Sequence, residues 1–231
     1  MKAKIFLFTL IFLMINSFIY GQNKTDAQGK KHGKWVGYYE PSKNIRYQGT
    51  FEHGVEKDTF YFYDNVKSKT INAIRIFSDN GKKVYTKFYH GKFLVSEGAE
   101  VDRKREGIWK YYHYNSNQIM TTEFYVNNEI DGVRSVFYQN GLLAEECFYK
   151  NGKKEGVYKK YATNKVVLEE SFYVDNQLDG KIIIRDTDGK IIVKGTYKKD
   201  VSVGIWEYYE NGKLVKKVDK DKKPEVVTKF K

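Results

Sequence analysis

The chain has 231 residues, with 41 Lys and Arg against 29 Asp and Glu, a formal net charge of +12, and one cysteine. A lone cysteine excludes an internal disulfide framework, so stability must come from packing. Its four histidines, His32, His53, His90 and His113, share no metal-ligand spacing, which argues against a histidine-based metal centre.

At the N-terminus, Lys2 and Lys4 precede a nearly unbroken apolar run from Ile5 to Ile15, and Ser17-Phe18-Ile19-Tyr20-Gly21 leads to Gln22. This is the layout of a secretory signal cut after Gly21. Extended to Tyr20, the apolar run is interrupted by Asn16 and Ser17 and falls short of the roughly 20 apolar residues that span a bilayer. Residues 1–21 are therefore expected to be removed, and the mature chain to be periplasmic, cell-surface or secreted. Without Lys2 and Lys4 the net charge falls from +12 to +10. No cysteine lies near the cut, so a lipoprotein-type anchor is not expected.

After a lead-in at 22–32, one phrase recurs every 24 or 25 residues. It is clearest in Gly107-Ile108-Trp109-Lys110-Tyr111-Tyr112 and Gly204-Ile205-Trp206-Glu207-Tyr208-Tyr209. A fixed period of this length signals a repeat array, whose units bury apolar surface against their neighbours. With the opening glycine as position zero, eight units align at Gly33, Asp58, Asn72, Gly107, Gly132, Gly156, Gly180 and Gly204. Position two reads Trp35, Phe60, Ile74, Trp109, Arg134, Tyr158, Ile182 and Trp206. Position five reads Tyr38, Tyr63, Phe77, Tyr112, Phe137, Tyr161, Arg185 and Tyr209.

Turn signals such as Asn80-Gly81, Asn140-Gly141, Asp188-Gly189 and Asn211-Gly212 follow, pairs that accept positive φ cheaply in two-residue hairpins. A second run then ends in rings, as in Phe148-Tyr149 and Phe172-Tyr173. The runs have strand length and favour Tyr, Phe, Val, Ile and Trp. The fold expected is all-β, an elongated antiparallel meander of stacked hairpins over 33–218. Strict alternation puts positions two and five on opposite faces, so either a bulge intervenes or both faces carry rings. On this alignment the array is irregular at 58–106: the Asp58 unit is short, and 93–105 reads as an insertion, an extra strand plus a charged loop. A lysine-rich tail occupies 219–231; from Lys213 to Lys231 eight lysines meet only Asp219, Asp221 and Glu225.

The phrases Gly107-Ile-Trp-Lys-Tyr-Tyr, Tyr138-Gln-Asn-Gly141, Phe148-Tyr-Lys-Asn-Gly-Lys-Lys-Glu-Gly156 and Gly204-Ile-Trp-Glu-Tyr-Tyr-Glu-Asn-Gly212 resemble the variant MORN repeat of bacterial proteins in the YwqK antitoxin-like group. The resemblance implies a stacked β-hairpin array that mediates protein contacts, with lipid binding often proposed. It also implies an antitoxin-like role, which the export signal opposes.

No catalytic, cofactor-binding or metal constellation is evident. Cys147 lacks a partner histidine, and its counterparts one and two periods on are Ser171 and Gly195, so it reads as a small group in a packing column. Glu145-Glu146 and Glu169-Glu170 recur one period apart, which fits solvated strand positions better than acid–base work. The function expected is a non-catalytic exported scaffold for an as yet unknown protein partner. The alternative is a binder of anionic lipid or glycan; nucleic acid is not an expected partner. Partner-reading positions are sought where units differ: the 93–105 segment, the tail, and Arg134 and Arg185, which stand at ring positions and so could lie over neighbouring rings.

Overall fold

The computed structural model describes residues 22–222; the expected signal segment 1–21 and the tail beyond Lys222 lie outside them. The first half of the array contains β1 (Lys24–Thr25), β2 (Lys31–Tyr38), β3 (Ile45–Glu52), β4 (Val55–Tyr63), β5 (Ile71–Ser78), β6 (Lys83–His90), β7 (Phe93–Val101), β8 (Lys104–Tyr112) and β9 (Ile119–Val126). The second half contains β10 (Glu129–Ile130), β11 (Gly132–Phe137), β12 (Leu143–Lys150), β13 (Lys153–Tyr161), β14 (Val167–Val174), β15 (Gln177–Leu178), β16 (Gly180–Arg185), β17 (Ile191–Lys198), β18 (Val201–Glu210) and β19 (Lys213–Asp219). Each strand pairs antiparallel with its neighbour in sequence, and the two-residue β10 and β15 extend the edges through which β9 meets β11 and β14 meets β16. One open meander results.

Most turns that close units are two-residue turns with positive φ at both central residues. Asn127-Asn128, Asn151-Gly152 and Asp175-Asn176 are examples, and this geometry matches the twist of the flanking strands. The one between β5 and β6 is instead a 3-10 turn at Asp79–Gly81, with positive φ at all three residues. The Asn140-Gly141 and Asp188-Gly189 turns differ from expectation. Only the glycine has positive φ there. Tyr138 N donates to Leu142 O and Gly141 N to Tyr138 O, both at 2.8 Å, making a longer loop.

Two register shifts recur in the hairpins. At position zero, three residues of one strand face one of the other, as between Glu97/Ala99 and Lys110/Glu106. Positive φ at Gly107, and at Asp58, Gly156 and Gly204 in equivalent places, supplies the required bend. The second shift falls before position five and adds one residue to the following strand: Met120, Ala144, Leu168 and Ile192 are such residues, each 24 after the last. Because the extra residue lies on the partner strand, alternation along the first strand continues. Positions two and five therefore point to opposite faces, and both faces carry rings.

On the first face one row crosses the whole sheet, pairing a position-two residue with a residue of the following strand. It runs Trp35↔Gly49, Phe60↔Arg75, Thr86↔Gly98, Trp109↔Glu123, Arg134↔Cys147, Tyr158↔Ser171, Ile182↔Gly195 and Trp206↔Val218. Rings lie flat on the glycines of the preceding strand. A Cβ built on Gly49, Gly98 or Gly195 would stand 2.3–2.5 Å from Phe60, Trp109 or Trp206. Trp109 is 1% exposed in this single-layer sheet. The position-two rings also meet a later ring edge to face: Trp35–Phe51, Trp109–Tyr125 and Tyr158–Tyr173 have centroids 6.0–6.4 Å apart, a favoured aromatic geometry.

This row corrects the sequence alignment between 58 and 106. Asn72 does not open a unit; it is the extra bulge residue of β5. The third unit is the β6–β7 hairpin, with Val84 at position zero, Thr86 at two and Tyr89 at five. The Asp58 unit has two full strands, and 93–105 is no insertion: it holds β7, a two-residue turn at Asp102-Arg103 and the start of β8.

On the second face, position-five hydroxyls donate to glutamates, Tyr112 to Glu97 at 2.6 Å and Tyr209 to Glu207 at 2.6 Å. Tyr161 donates likewise to Glu146. Position six ties units together. Tyr39 OH donates to Tyr63 O at 2.9 Å, His113 Nε2 to Phe137 O at 3.0 Å and Tyr138 OH to Tyr161 O at 2.6 Å. An apolar ladder, Ile108↔Phe124, Val133↔Phe148 and Val157↔Phe172, also faces solvent there.

Candidate interaction groove

The third unit departs from the others in two linked ways. Val84 has no positive φ, and β5 and β6 pair without any register shift. Thr86 then occupies the row where most units place a ring, with Ala73 beside it between Phe62 and Phe88 in register. Thr86 itself is fully covered, and beside it, over Ala73, an open groove of about 900 Å³ lies on the first face.

Its floor is apolar, formed by Phe62, Ala73 and Phe88. At one end Arg75 Nη2 meets Glu100 Oε2 at 3.0 Å, with both side chains partly shielded from water. The Arg75 guanidinium also lies 5.2 Å from the Phe77 ring centre. At the other end stand the His90 and Tyr114 rings, 6.1 Å apart, and Tyr114 is 80% exposed. Concave, mainly apolar surface with a few fixed polar groups is the usual form of a binding site, and this volume lies within the usual range. Behind the groove on the opposite face, Glu97 is 8% exposed and lies 3.8 Å from Lys87 and 3.9 Å from Lys110. Burial, followed by the bond to Glu97, pushes the Tyr112 hydroxyl far above its ordinary pKa.

The 93–105 segment, singled out from sequence as an inserted extra strand plus a charged loop, reaches the groove through Val95 and Glu100 of β7. His90, noted in the sequence only as a histidine without metal-ligand spacing, lines it too. Phe88 belongs with Tyr89 to the rings that end a second run in the sequence, whereas Arg75 had no sequence signal of its own.

The other singled-out residues lie elsewhere. Arg134 lies over no ring; its Nε is 3.0 Å from Glu123 Oε1, so an ion pair replaces the ring-on-small-residue contact of other units. Arg185 reaches the Val167 carbonyl at 3.5 Å. Cys147 is 4% exposed in the row, and burial pushes its thiol up. The paired glutamates are cross-strand neighbours of lysines: Lys160 lies between Glu145 and Glu169, and Lys159 between Glu146 and Glu170. The fold brings two histidines together that sequence kept apart: His32 and His53 have ring centres 4.8 Å apart. His53 Nδ1 lies 2.7 Å from Asp26 Oδ2 and holds that carboxyl below its usual range.

Cations stand over rings at another recurring place, two residues before position zero. Lys31 lies 4.8 Å from the Trp35 and Phe51 centres, Arg105 4.5 Å from Trp109, and Lys154 4.9 Å from Tyr173.

Comparison with known proteins bears on the repeat type. No curated protein matches the sequence. Two solved structures of S. aureus TarM, one a mutant in complex with Fondaparinux, alpha-GlcNAc-glycerol and UDP, align at 14% and 13% identity with TM-scores of 0.32 and 0.31. Each alignment covers 42% of this chain, which spans only about a fifth of theirs (19% and 20%), and a likeness that loose carries no argument. Residues 130–151, 154–175 and 203–219 match the family model described as MORN repeat variant, and each match falls on hairpin strands of the array. Repeats of this kind are in general non-enzymatic modules for protein or membrane contacts.

Proposed function

We propose that this protein is a non-catalytic, exported scaffold that holds a protein partner, with the β4–β7 groove as its anchor site. The observation that carries this reading is the groove itself, where a ring-covered face gives way to an apolar floor ending in the Arg75–Glu100 pair. Such a site suits an apolar or aromatic side chain of a partner, seated at the centre of a contact. The solvent-facing ladder from Ile108 to Phe172 supports a protein-contact role, because contiguous exposed apolar surface commonly marks interaction sites. Export rests on the N-terminal layout of Lys2, Lys4 and the apolar run.

The test is a crosslinking pull-down from the native cell envelope, run with wild type and with Ala73→Trp, which fills the groove. A partner captured by wild type and lost with the folded variant is the expected result. Equal capture by both removes the groove from the reading. N-terminal sequencing of the mature protein checks export, with Gln22 expected as the first residue.

A second reading, binding to anionic lipid or glycan, draws on the cations held over rings at Lys31, Arg105 and Lys154. Exposed charge contacts are screened within about 8–10 Å at physiological salt. Partner retention that is unchanged between low and high ionic strength sinks that alternative.

A further inference from the structure

The two ends of the sheet are finished differently. At the first edge, β1 lies along β2, with Lys24 opposite His32 and Thr25 opposite Lys31. Asn23 continues the pairing. Its backbone N donates to Lys34 O at 2.9 Å, its side chain donates to Val36 O at 3.0 Å, and it accepts from Val36 N at 2.8 Å. Trp35 Nε1 closes the cover by donating to Lys24 O at 2.8 Å.

At the other edge, β19 pairs only with β18 among the described residues. Lys220 N donates to Gly204 O at 2.9 Å, which fixes the phase of that ladder. Alternation then directs the backbone groups of Lys216 and Val218 toward β18 and those of Lys217 and Asp219 outward. Residues 213–217 are all exposed. Lys213, Lys216, Lys217, Lys220 and Lys222 outnumber Asp219 and Asp221 here, and both aspartates already accept bonds, from Asp221 N and Gly204 N. Among the described residues no carboxylate lies within 4 Å of the Lys213 or Lys216 ammonium; Lys217 meets Glu207 at 2.8 Å.

An open edge is a template for strand addition, and lysines on it oppose pairing with like-charged strands while favouring acidic ones. We propose that the outer edge of β19 accepts an extended acidic segment of a partner protein as an additional strand. Main-chain bonds form at Lys217 and Asp219, and carboxylates of the incoming strand lie near Lys216 and Lys220, which share one face. A second copy of this chain is the poorer occupant, because its first edge is covered and two β19 edges bring lysines together. The proposal deepens the scaffold reading but uses a site remote from the groove, so the Ala73→Trp experiment and the one below fail independently.

The test titrates a short peptide of alternating Glu and Val into the full chain, by calorimetry and by the fluorescence of Trp206, which packs under Lys220. Lys217→Gln and Lys217→Pro remove the same charge, and only the proline removes an outward N–H that β18 does not use. Saturable binding is expected, weaker by roughly tenfold for Lys217→Pro than for Lys217→Gln, the worth of one main-chain bond. An acidic peptide N-methylated on alternate residues, so that its edge-facing N–H groups are blocked, should weaken similarly with the wild-type protein, which keeps the test independent of how the proline variant folds. No binding, equal binding of a Lys–Val peptide, indifference to both main-chain changes, or preference for anionic vesicles over the peptide would each overturn the proposal.

Discussion

The row of rings on small residues makes Gly98→Ala the most demanding substitution to predict. The added Cβ would stand 2.3, 2.4 and 2.5 Å from Cδ2, Cε2 and Cγ of Trp109. Carbon atoms prefer separations of about 3.5–4.0 Å, so the indole must retreat by roughly 1 Å or more. It has little room, being 1% exposed and packed edge to face against Tyr125. Retreat also strains the Trp109 Nε1 bond to Ala99 O, now 2.9 Å. Overpacking costs about 1–3 kcal/mol and a weakened buried hydrogen bond about 1 more, for a loss of about 3 kcal/mol. Backbone conformation adds nothing, since the φ of Gly98 is not positive. Urea unfolding followed by circular dichroism measures the loss. Combining Gly98→Ala with Trp109→Val should recover part of it, because the smaller side chain makes room for the methyl. A single-mutant change below about 0.5 kcal/mol, or strict additivity in the double mutant, would refute the row as a packing device.

Three other outcomes follow from the same geometry. Arg134→Trp alone should destabilise the protein by setting an indole against Glu123, whereas Arg134→Trp with Glu123→Gly should recover stability by recreating the Trp109-on-Gly98 arrangement; a coupling of about 1–3 kcal/mol in a double-mutant cycle checks it. Cys147 should resist thiol reagents in the folded protein and react once urea unfolds it, while Cys147→Ser, copying Ser171 one period on, should change stability by about 1 kcal/mol or less. Burial, then the bond to Glu146, pushes Tyr161 up to about 12 from 10.0. The folded state therefore holds that proton more tightly than the unfolded chain. Its contribution to stability is intact below pH 10 and is lost as pH rises from 10 toward 12. Tyrosinate absorbance should lag that of urea-unfolded protein over this window, with a smaller lag in Tyr161→Phe.

Period, ring columns and hairpin turns were legible because each is a local pattern repeated many times. The frame between Asp58 and Gly107 was not. Val84 and Thr86 lack both the glycine and the ring that mark a unit, while Asn72, Ile74 and Phe77 imitate the phrase by chance. Sequence spacing left the faces of positions two and five undecided, because the answer depended on which strand carries the bulge residue. Arg134 was visible as an exception, but its meaning required the register that sets Glu123 beside it. The groove was the least legible feature, because its lining, from Phe62 to Tyr114, comes together only through the register of successive strands.

The bulge residues that follow one another along the array also bear on how its units can be exchanged. Corrected unit openings lie 23 to 26 residues apart, odd and even intervals mixed. In an uninterrupted ribbon, each odd interval would turn the next hairpin inside out. Here turns and bulges absorb the surplus, so every hairpin sets its own inside and outside. A unit can thus be transplanted, duplicated or excised without inverting those downstream, and lengthening a turn by one residue need not disturb the remaining array.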